Sequence, residues 1–364
     1  MTAVTDAPGR TKQPATQVGI VDCDTHNTWN DLSELKPFLA QRWHRLLDEF
    51  GPRHYAGGGY PRFWGDAVDT APDSGRKSGS DVAFMGTNHL DRHDIAYAVL
   101  IPLNPVTGMQ NLDFAGALAR AINAWEAAEW LDKEPRLRSS IVVPTEDPDA
   151  AVAEIRRVGH DRRFVQVQFS GRPQEPMGRR RYWPIYQACV DLDLPVMSHA
   201  FGSSGHPITG TGWASYYLED HVGPAISVQA NITSMIMEGV FERFPTLRFV
   251  SVENGFAWAS ALRWRMDNAW TLLRHEVPQL RRPPSEYFDD HVYLATQPVE
   301  EPEKREFFQQ MLDQYPGFAD RLLFSSDYPH WDGDNPARAV PLLRDRDARE
   351  KVLRLNARGL YRLP

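Results

Sequence analysis

The sequence predicts an α/β protein whose core is a (β/α)8 TIM barrel with an insertion after the first strand. Short apolar runs of strand length alternate with amphipathic stretches of helical length along the chain, which is the pattern of repeated βαβ units. The first run ends in Asp24 and His26 and the last ends in Asp327. Because a closed barrel places its first and last strands side by side, these side chains are expected to meet.

Eight apolar runs are long enough for strands and are separated by helical patterns, and eight βα units favour a closed barrel over an open sheet. The predicted strands are 19–24, 96–103, 140–143, 164–169, 195–199, 247–252, 291–295 and 321–326. The amphipathic stretches predict helices at 114–131, 147–158, 183–192, 228–244, 256–273 and 302–315.

Two segments depart from this alternation. Residues 1–17 are small and polar and predict a disordered N-terminal tail, which leaves 18–364 as a single barrel domain. Residues 30–91 are rich in Gly, Pro, Trp and Tyr, and they predict a lid-like insertion over the barrel mouth. Tyr60, Phe63 and Trp64 are its expected apolar contacts. The chain of 364 residues has room for such an insertion, since a bare barrel needs ~250.

Composition excludes several classes of protein. The net charge of −8 and the lack of a basic block argue against a nucleic-acid partner. The two cysteines, Cys23 on the outward face of the first strand and Cys189 in a helix, form neither a disulfide framework nor a metal cage. No apolar run reaches the ~18 residues of a membrane span, and no signal-peptide core is present. We therefore expect a cytoplasmic protein without a membrane partner.

The first strand offers two metal ligands. Side chains alternate between the faces of a strand, so Asp22, Asp24 and His26 are expected on one face and Cys23 on the other. Asp24 and His26 would then bind one ion. A single Asp-x-His triplet is more often structural than functional. The prediction of a metal site therefore needs ligand-type residues at the ends of other strands as well.

Two further runs end in the same way. His199 ends the run 195–199, and Asp327 follows the run 321–326. The active-site residues of a (β/α)8 barrel lie at the carboxyl ends of its strands. Apolar runs that each end in a ligand-type residue therefore predict that these residues share one site. Two histidines and two carboxylates suit zinc, or a harder divalent ion such as manganese. No Gly-x-Ser-x-Gly elbow and no Gly-x-Gly-x-x-Gly loop after a strand supports a serine hydrolase or a dinucleotide enzyme.

These residues resemble the metal-dependent amidohydrolase superfamily, and within it the branch of aminocarboxymuconate-semialdehyde decarboxylase. The resemblance covers nearly the whole chain after the tail. It is carried by VDCDTH at 21–26, DRHDI at 91–95, AVLIP at 98–102, the His199 segment, FSSDYPH at 324–330 and NARGLY at 356–361. It implies one divalent metal, zinc first and manganese second, held by Asp24, His26, His199 and Asp327. It also implies a homodimer.

The chain departs from many members of this branch at the sixth strand. They place a histidine there as catalytic base, whereas this chain has Glu253. A carboxylate with a raised pKa still acts as a base, or it binds the metal, or it caps the following helix. Base or ligand is the preferred interpretation. The fourth strand carries Gln166 and Gln168 and offers neither a lysine nor a glutamate for a second metal, so a single-metal site is expected.

Further residues are candidates for the active site. The family resemblance implies that a nearby arginine binds a substrate carboxylate, which makes Arg263 and Arg265 candidates, with an ion pair to Asp267 on a solvated helix face as the alternative. His330, beyond the ligand Asp327, is expected to orient the substrate or metal-bound water, or only to form a hydrogen bond with Asp332 or Asp334. His221 and Trp213 are candidates for substrate binding, although an aromatic cluster is more often core or interface.

The metal site has two predicted uses. The resemblance favours non-oxidative decarboxylation of a small aromatic or muconate-like acid, with Glu253, His330 and Asp327 as catalytic residues. The alternative is metal-dependent hydrolysis of a lactone, amide or ester. A third hypothesis is a barrel that binds a small acid without turnover.

Overall fold

The structure is a computed structural model and describes residues 19–52, 65–203, 206–208, 210–315, 317–339 and 343–364. The predicted tail at 1–17 lies outside these residues, as do Tyr60, Phe63 and Trp64.

Eight parallel strands form one sheet, in the order in which they occur along the chain. They are β1 (Ile20–Thr25), β2 (Ile95–Leu100), β3 (Leu137–Val142), β4 (Phe164–Arg172), β5 (Val196–Ser203), β6 (Phe249–Val252), β7 (Val292–Ala295) and β8 (Leu322–Leu323). Each predicted apolar run overlaps one of these strands, so the predicted α/β barrel is confirmed.

Backbone hydrogen bonds join the end of β1 to the segment after β8. The N–H of Asp327 donates to the carbonyl of Asp24 over 3.0 Å, and the N–H of His26 donates to the carbonyl of Tyr328 over 2.6 Å. These bonds complete the ring of strands. They also place the two ends of the chain that carry predicted metal ligands next to each other, as the sequence predicted.

The last strand is shorter than the predicted run 321–326 because side chains take over its hydrogen bonds. The N–H of Ser325 donates to Thr296 Oγ1 over 3.2 Å, and the N–H of Ser326 donates to Asp22 Oδ1 over 2.9 Å. Each buried N–H still has a partner, as burial requires. The segment leading to Asp327 is therefore held in a non-strand conformation.

The helices surround the barrel, and the predicted helices are found with one difference. They are α1 (His44–Phe50), α2 (Val82–Met85), α3 (Leu112–Trp125), α4 (Pro148–Val158), α5 (Trp183–Leu192), α6 (Tyr217–His221), α7 (Pro224–Met237), α8 (Val240–Arg243), α9 (Ala259–Leu273), α10 (Pro284–His291), α11 (Arg305–Asp313), α12 (Pro336–Ala339), α13 (Arg346–Glu350) and α14 (Asn356–Tyr361). The predicted helix 228–244 is split, because Gly239 has a φ of +79° that an α-helix does not allow. Across the described residues, each helix is too short or too polar to cross a bilayer.

A cluster of apolar side chains fills the interior of the barrel. Its strand residues are Val21, Cys23, Tyr97, Val99, Val165, Met197, Val250, Val252, Ala295 and Leu323, and Tyr361 of α14 joins them. Since these strands lie on opposite sides of the ring, the side chains that meet must point inward. Cys23 is thus in the interior, and the prediction that it faces outward is wrong. The pairing of β1 with β2 shifts register between Asp22 and Thr25, so simple alternation fails there.

Asp22 is buried, and its carboxylate forms hydrogen bonds that connect β1, the segment after β8 and the insertion. Its Oδ1 accepts from the N–H of Ser326 over 2.9 Å and from that of Asp24 over 3.2 Å, while its Oδ2 lies 2.8 Å from His89 Nε2. The His89 ring stacks on Tyr328 with centroids 4.5 Å apart. The carboxylate therefore links three segments that meet beside the predicted site.

Replacing Asp22 with alanine is expected to lower the free energy of unfolding by about 3–5 kcal/mol, because it leaves buried donors without their acceptor. Urea denaturation measures this loss. Asp22→Asn keeps the shape and one acceptor, so its loss should be smaller. A loss below about 1 kcal/mol for Asp22→Ala would contradict the conclusion that this carboxylate connects the three segments.

The described part of the insertion packs against the segment after β8. The N–H of Ala67 donates to the carbonyl of Pro329 over 2.8 Å, and Asp66 forms an antiparallel bridge with His330. At Gly79, with a φ of +69°, an added Cβ would lie 2.9 Å from the carbonyl oxygen of His26. The insertion thus borders the carboxyl ends of β1 and β8, and its function as a lid stays a prediction.

Candidate metal centre

Six buried side chains meet at the carboxyl ends of β1, β5, β6 and β8. They are Asp24, His26, His199, Glu253, Asp327 and His330, and each is at most 5% exposed. Ligand-type atoms of the first four all lie within 4.8 Å of one another, and those of His26, Asp327 and His330 form a second such group. The four predicted metal ligands are therefore brought together, and Glu253 and His330 lie with them.

The tautomer of the His26 ring is determined by its surroundings. Its Nδ1 lies 2.9 Å from the carbonyl oxygen of Ile101, which only accepts, so Nδ1 carries the proton. In the neutral ring, Nε2 then presents a lone pair. This Nε2 lies 2.9 Å from Asp327 Oδ1, 3.2 Å from Asp24 Oδ1 and 3.3 Å from His199 Nε2. Such a ring is oriented as a metal ligand, with its second nitrogen held by a backbone carbonyl.

Carboxylate oxygens at the centre lack hydrogen-bond donors among the described residues. Neither Oδ atom of Asp24 nor Oε2 of Glu253 has a donor, although all are buried. Glu253 Oε2 lies 2.9 Å from His199 Nε2, but not in hydrogen-bond geometry. Buried carboxylates are normally paired or bound to a metal. A divalent cation fits this set of converging lone pairs, and the cluster is a divalent metal site.

The pKa shifts of the carboxyl groups in the metal-free centre agree with a site for a cation. Burial, with the negative charges of neighbouring carboxylates, raises the pKa values of both Asp24 and Glu253. Burial also opposes the charge on Asp327, but the imidazoles of His330 and His26 together more than offset it and lower the pKa of that carboxyl. A cation would favour the charged form of all three carboxylates, so metal and protons compete for this site.

Each carboxylate oxygen of Asp327 has a hydrogen-bond partner. His330 Nδ1 lies 2.7 Å from its Oδ1, and Gln297 Nε2 donates to its Oδ2 over 3.1 Å. His330 was predicted to bond Asp332 or Asp334 if it had no catalytic role, but its partner is Asp327 itself. The histidine therefore lies against a predicted metal ligand, as expected for a residue that orients it.

Two residues of the centre adopt a left-handed backbone. Glu253 has a φ of +58° and Asp327 a φ of +59°. This conformation is uncommon for residues other than glycine and costs free energy, so it persists where the surrounding structure enforces it. In both cases it ends the strand alternation and turns a carboxylate toward the centre. That explains why neither side chain follows the strand register alone.

His221 lies at the rim of the centre. Its Nε2 is 3.0 Å from Asp332 Oδ2, and this hydrogen bond raises the pKa of His221. Gln297 Nε2 reaches the same Oδ2 over 3.4 Å, so the rim is linked through Gln297 to Asp327. Tyr217 and Trp331 pack beside the His221 ring, with centroids 5.4 and 5.6 Å from it.

The other predicted substrate residues lie elsewhere. Arg263 donates two hydrogen bonds of 2.6 Å to Asp289 of α10, and its guanidinium stacks on Tyr315. Arg265 on the same helix is exposed, and Trp213 is 48% exposed. The ion pair of Arg263 is thus formed with Asp289, not with Asp267. A role for these three side chains in substrate binding stays a prediction.

Sequence reasoning missed Glu300, which anchors the loop after Glu253. Both of its carboxylate oxygens lie 3.0 Å from the N–H of Phe256 and 3.2 Å from that of Ala257, which donate to them. Gly255 has a φ of +62°, and a Cβ there would lie 2.1 Å from Glu300 Oε1. The GFA sequence after Glu253 hinted at a tight turn, but nothing local to it indicated a partner more than forty residues away.

Replacing Glu300 with alanine is expected to lower the free energy of unfolding by about 2–3 kcal/mol, since hydrogen bonds to a charged acceptor are lost. Gly255→Ala should also destabilise the protein, because its Cβ meets Glu300 and its φ is positive. In the double variant the clash is relieved, so the two losses should not add. Urea denaturation of the four proteins measures this coupling, and strictly additive losses would contradict the contact.

Comparison with known proteins places this centre among related enzymes. A curated relative, gamma-resorcylate decarboxylase from Rhizobium sp. (strain MTP-10005), is 27% identical over 296 residues, which is 75% of this chain and 85% of the relative. The solved structure of 2,6-dihydroxybenzoate decarboxylase from Rhizobium has a TM-score of 0.68 at 22% identity and covers 94% of this chain and 98% of its own.

A second solved structure is 5-carboxyvanillate decarboxylase from Novosphingobium aromaticivorans, complexed with manganese. Its TM-score is 0.68 at 19% identity, with 95% of this chain and 97% of that chain covered. At these identities the two structures share the fold with this protein. The family model described as Amidohydrolase matches residues 21–363, from the first strand to the last helix. The protein therefore belongs to the amidohydrolase family.

Proposed function

We propose that this protein is a metal-dependent decarboxylase that releases carbon dioxide from an aromatic carboxylic acid without oxidation. The observation that carries the proposal is the buried centre of three carboxylates and three imidazoles at the carboxyl ends of the strands. The curated relative with this activity in its name spans most of the chain, which favours decarboxylation over hydrolysis.

Asp24, His26, His199 and Asp327 would hold the ion, as the sequence predicted. When bound, a divalent cation acts as a Lewis acid and stabilises negative charge on substrate oxygens. The sequence favoured zinc, but Glu253 adds a third carboxylate to the centre, and an oxygen-rich donor set suits harder ions. We therefore propose manganese as the resident metal, as in the related 5-carboxyvanillate decarboxylase structure.

The reaction breaks one carbon–carbon bond. Carbon dioxide leaves, the ring carbon keeps the bonding electron pair, and a proton replaces the carboxylate. Glu253 is our candidate for the group that delivers this proton, because its carboxyl group is buried at the centre and its Oε2 lies 2.9 Å from Nε2 of the predicted ligand His199. His330 holds Asp327 in place through the bond of 2.7 Å between Nδ1 and Oδ1.

The rim of the centre suits an aromatic ring. Tyr217 and Trp331 flank His221, and an aromatic substrate would pack against such rings at centroid distances of about 4.5–7 Å. The Trp331 indole also donates to the Tyr217 hydroxyl over 3.4 Å, which fixes both rings. His221 is proposed to donate a hydrogen bond to a polar substituent of the substrate. A homodimer stays a prediction.

The test combines metal analysis with product analysis. The purified protein, expressed with added manganese or zinc, is assayed for bound metal and then for carbon dioxide release from 2,6-dihydroxybenzoate and 5-carboxyvanillate. A panel of lactones tests the hydrolase alternative. About one equivalent of metal with metal-dependent carbon dioxide release supports the proposal. Lactone hydrolysis without carbon dioxide release from any aromatic acid would refute it.

A further inference from the structure

Gln168 lies on the inner face of β4, next to the strand that carries the predicted metal ligand His199. β4 and β5 pair without a register shift from Val167 to Ser170, which places Gln168 beside Met197 and Ser170 beside His199. Met197 belongs to the apolar cluster inside the barrel. Residues that lie side by side in regularly paired strands share a face of the sheet, so the side chain of Gln168 also points inward.

The strand pairing also gives the distance of Gln168 from the metal centre. Gln168 precedes Ser170, the register partner of His199, by two residues. With strands about 4.8 Å apart and a rise of about 3.3 Å per residue, the Cα atoms of Gln168 and His199 lie about 8 Å apart. A glutamine side chain and a small acid bound at the metal together span such a distance. Gln168 is therefore within reach of a substrate.

The amide of Gln168 has no hydrogen-bond partner among the described residues, although its Oε1 is buried. Gln166, two residues earlier on β4, differs in this respect. Its Nε2 donates to Ser140 Oγ over 2.9 Å, and its Oε1 accepts from the Tyr361 hydroxyl over 2.7 Å. Buried polar groups are normally paired, because an unpaired one costs free energy. The unpartnered amide of Gln168 is thus the kind of group that a ligand completes.

The side chain of Gln168 is accessible from the mouth of the barrel. Gln168 is partly exposed, whereas Gln166 is fully buried. The outward-facing neighbours Val167 and Phe169 are also fully buried, so the exposed surface of Gln168 lies on the inner side of the strand. The apolar cluster that includes Tyr361 fills the barrel toward the amino end of β4. A ligand therefore reaches the amide from the side of the metal centre.

A hydroxyl group is the partner that suits this amide. The amide offers two N–H donors and one acceptor oxygen, and a hydroxyl group also both donates and accepts. A carboxylate or a methoxy group only accepts, so neither satisfies the buried Oε1. A site that hydrogen-bonds a hydroxyl group rejects the analogue without it, because the polar group of the protein is then left unpaired.

We propose that Gln168 is a specificity-determining residue whose Oε1 accepts a hydrogen bond from a hydroxyl group on the ring of the substrate. It selects a hydroxy acid over the matching methoxy ether, which has no donor at that position. The proposal rests on the proposed function insofar as the substrate is an aromatic acid bound at the metal.

Binding of paired probes tests this directly. Dissociation constants of the 2-, 3- and 4-hydroxybenzoates and of their methoxy ethers are measured by calorimetry on the manganese-loaded protein. For an acid that turns over, the ratio of kcat/KM values replaces the ratio of dissociation constants. In the wild type, one hydroxy acid should be preferred over its ether by about tenfold. In Gln168→Met that preference should fall at least fivefold, with benzoate affinity and metal content within twofold of wild type.

Thermal melts of the metal-free proteins separate binding from a structural role. Gln168→Met should melt at or above the wild-type temperature, because no hydrogen bond within the described residues is lost. Gln166→Met is the matched control, since its amide is bonded to Ser140 and Tyr361. It should lower the melting temperature but keep the hydroxyl preference.

Three results would overturn the proposal. They are the absence of a hydroxyl preference in the wild type, an unchanged preference in Gln168→Met, and a loss of metal or of benzoate affinity in that variant as large as the loss of preference. The probe ratios do not depend on decarboxylation, so the two hypotheses fail separately. A hydroxyl preference that requires Gln168, without carbon dioxide release from any acid, would refute only the decarboxylase.

Discussion

Replacing Asp327 with alanine is expected to remove the bound metal and abolish turnover while leaving the barrel folded. Asp327 Oδ1 lies 2.9 Å from His26 Nε2, at the point where the ends of β1 and β8 meet. A metal supplies several kcal/mol of transition-state stabilisation, and 1.36 kcal/mol is a factor of ten in rate. The rate should therefore fall by at least about 10³-fold. His199→Ala should behave in the same way.

The fold should survive because the backbone bond from the N–H of Asp327 to the carbonyl of Asp24 does not depend on the side chain, and because the carboxylate has repulsive as well as attractive neighbours. Burial and the charges of neighbouring carboxylates, Asp327 among them, raise the pKa values of Asp24 and Glu253, which reflects repulsion in the metal-free protein. Removing one carboxylate relieves part of this repulsion. The variant also loses the bonds from His330 and Gln297, so the two effects oppose each other, and the melting temperature of the metal-free variant should stay within a few degrees of that of the metal-free wild type.

Elemental analysis and thermal melts with and without manganese measure both effects. The wild type should gain stability on metal addition, as a ligand that binds only the folded state requires, and the variant should not. Asp313→Ala, an exposed substitution on α11 outside the site, is the control and should keep the metal-induced shift. A variant with full turnover and one equivalent of metal would exclude Asp327 from the site.

The barrel and most of the centre could be predicted because both follow from strand periodicity. His199 is the last residue of a predicted strand and lies within β5, where its pairing with β6 is regular and alternation puts it in the centre. Asp24 was placed correctly although β1 is irregular, and the same irregularity made the orientation predicted for Cys23 wrong. A register shift depends on the neighbouring strand and cannot be read from one strand alone.

The supporting residues could not be predicted because they act across loops. Gln297 reaches Asp327 across 30 residues of sequence, and Glu300 reaches Phe256 across 44. Arginines were sought close to β6 in sequence, where Arg263 instead pairs with Asp289 of α10.

The strongest test of the chemistry is Glu253→Gln. Glutamine keeps the size and one acceptor but does not release a proton at neutral pH. If Glu253 delivers the proton, the variant should keep one equivalent of metal, and kcat should fall by about 10²–10⁴-fold, the usual contribution of a general acid or base.

Glu253→Gln also decides between the two functions open to this carboxylate. Its Oε2 lies within 4.8 Å of ligand atoms of Asp24, His26 and His199, so a role as a metal ligand is sterically available. A ligand would be revealed by loss of metal together with activity, and added manganese would then restore part of the rate. If Glu253 is instead the proton donor, the variant keeps its metal, and added manganese does not restore the rate.

Glu303→Gln, an exposed substitution before α11, should leave metal and rate unchanged. If Glu253→Gln keeps both its metal and its full rate, the proton must come from another group, and the imidazole of His330 beside Asp327 becomes the acid to test.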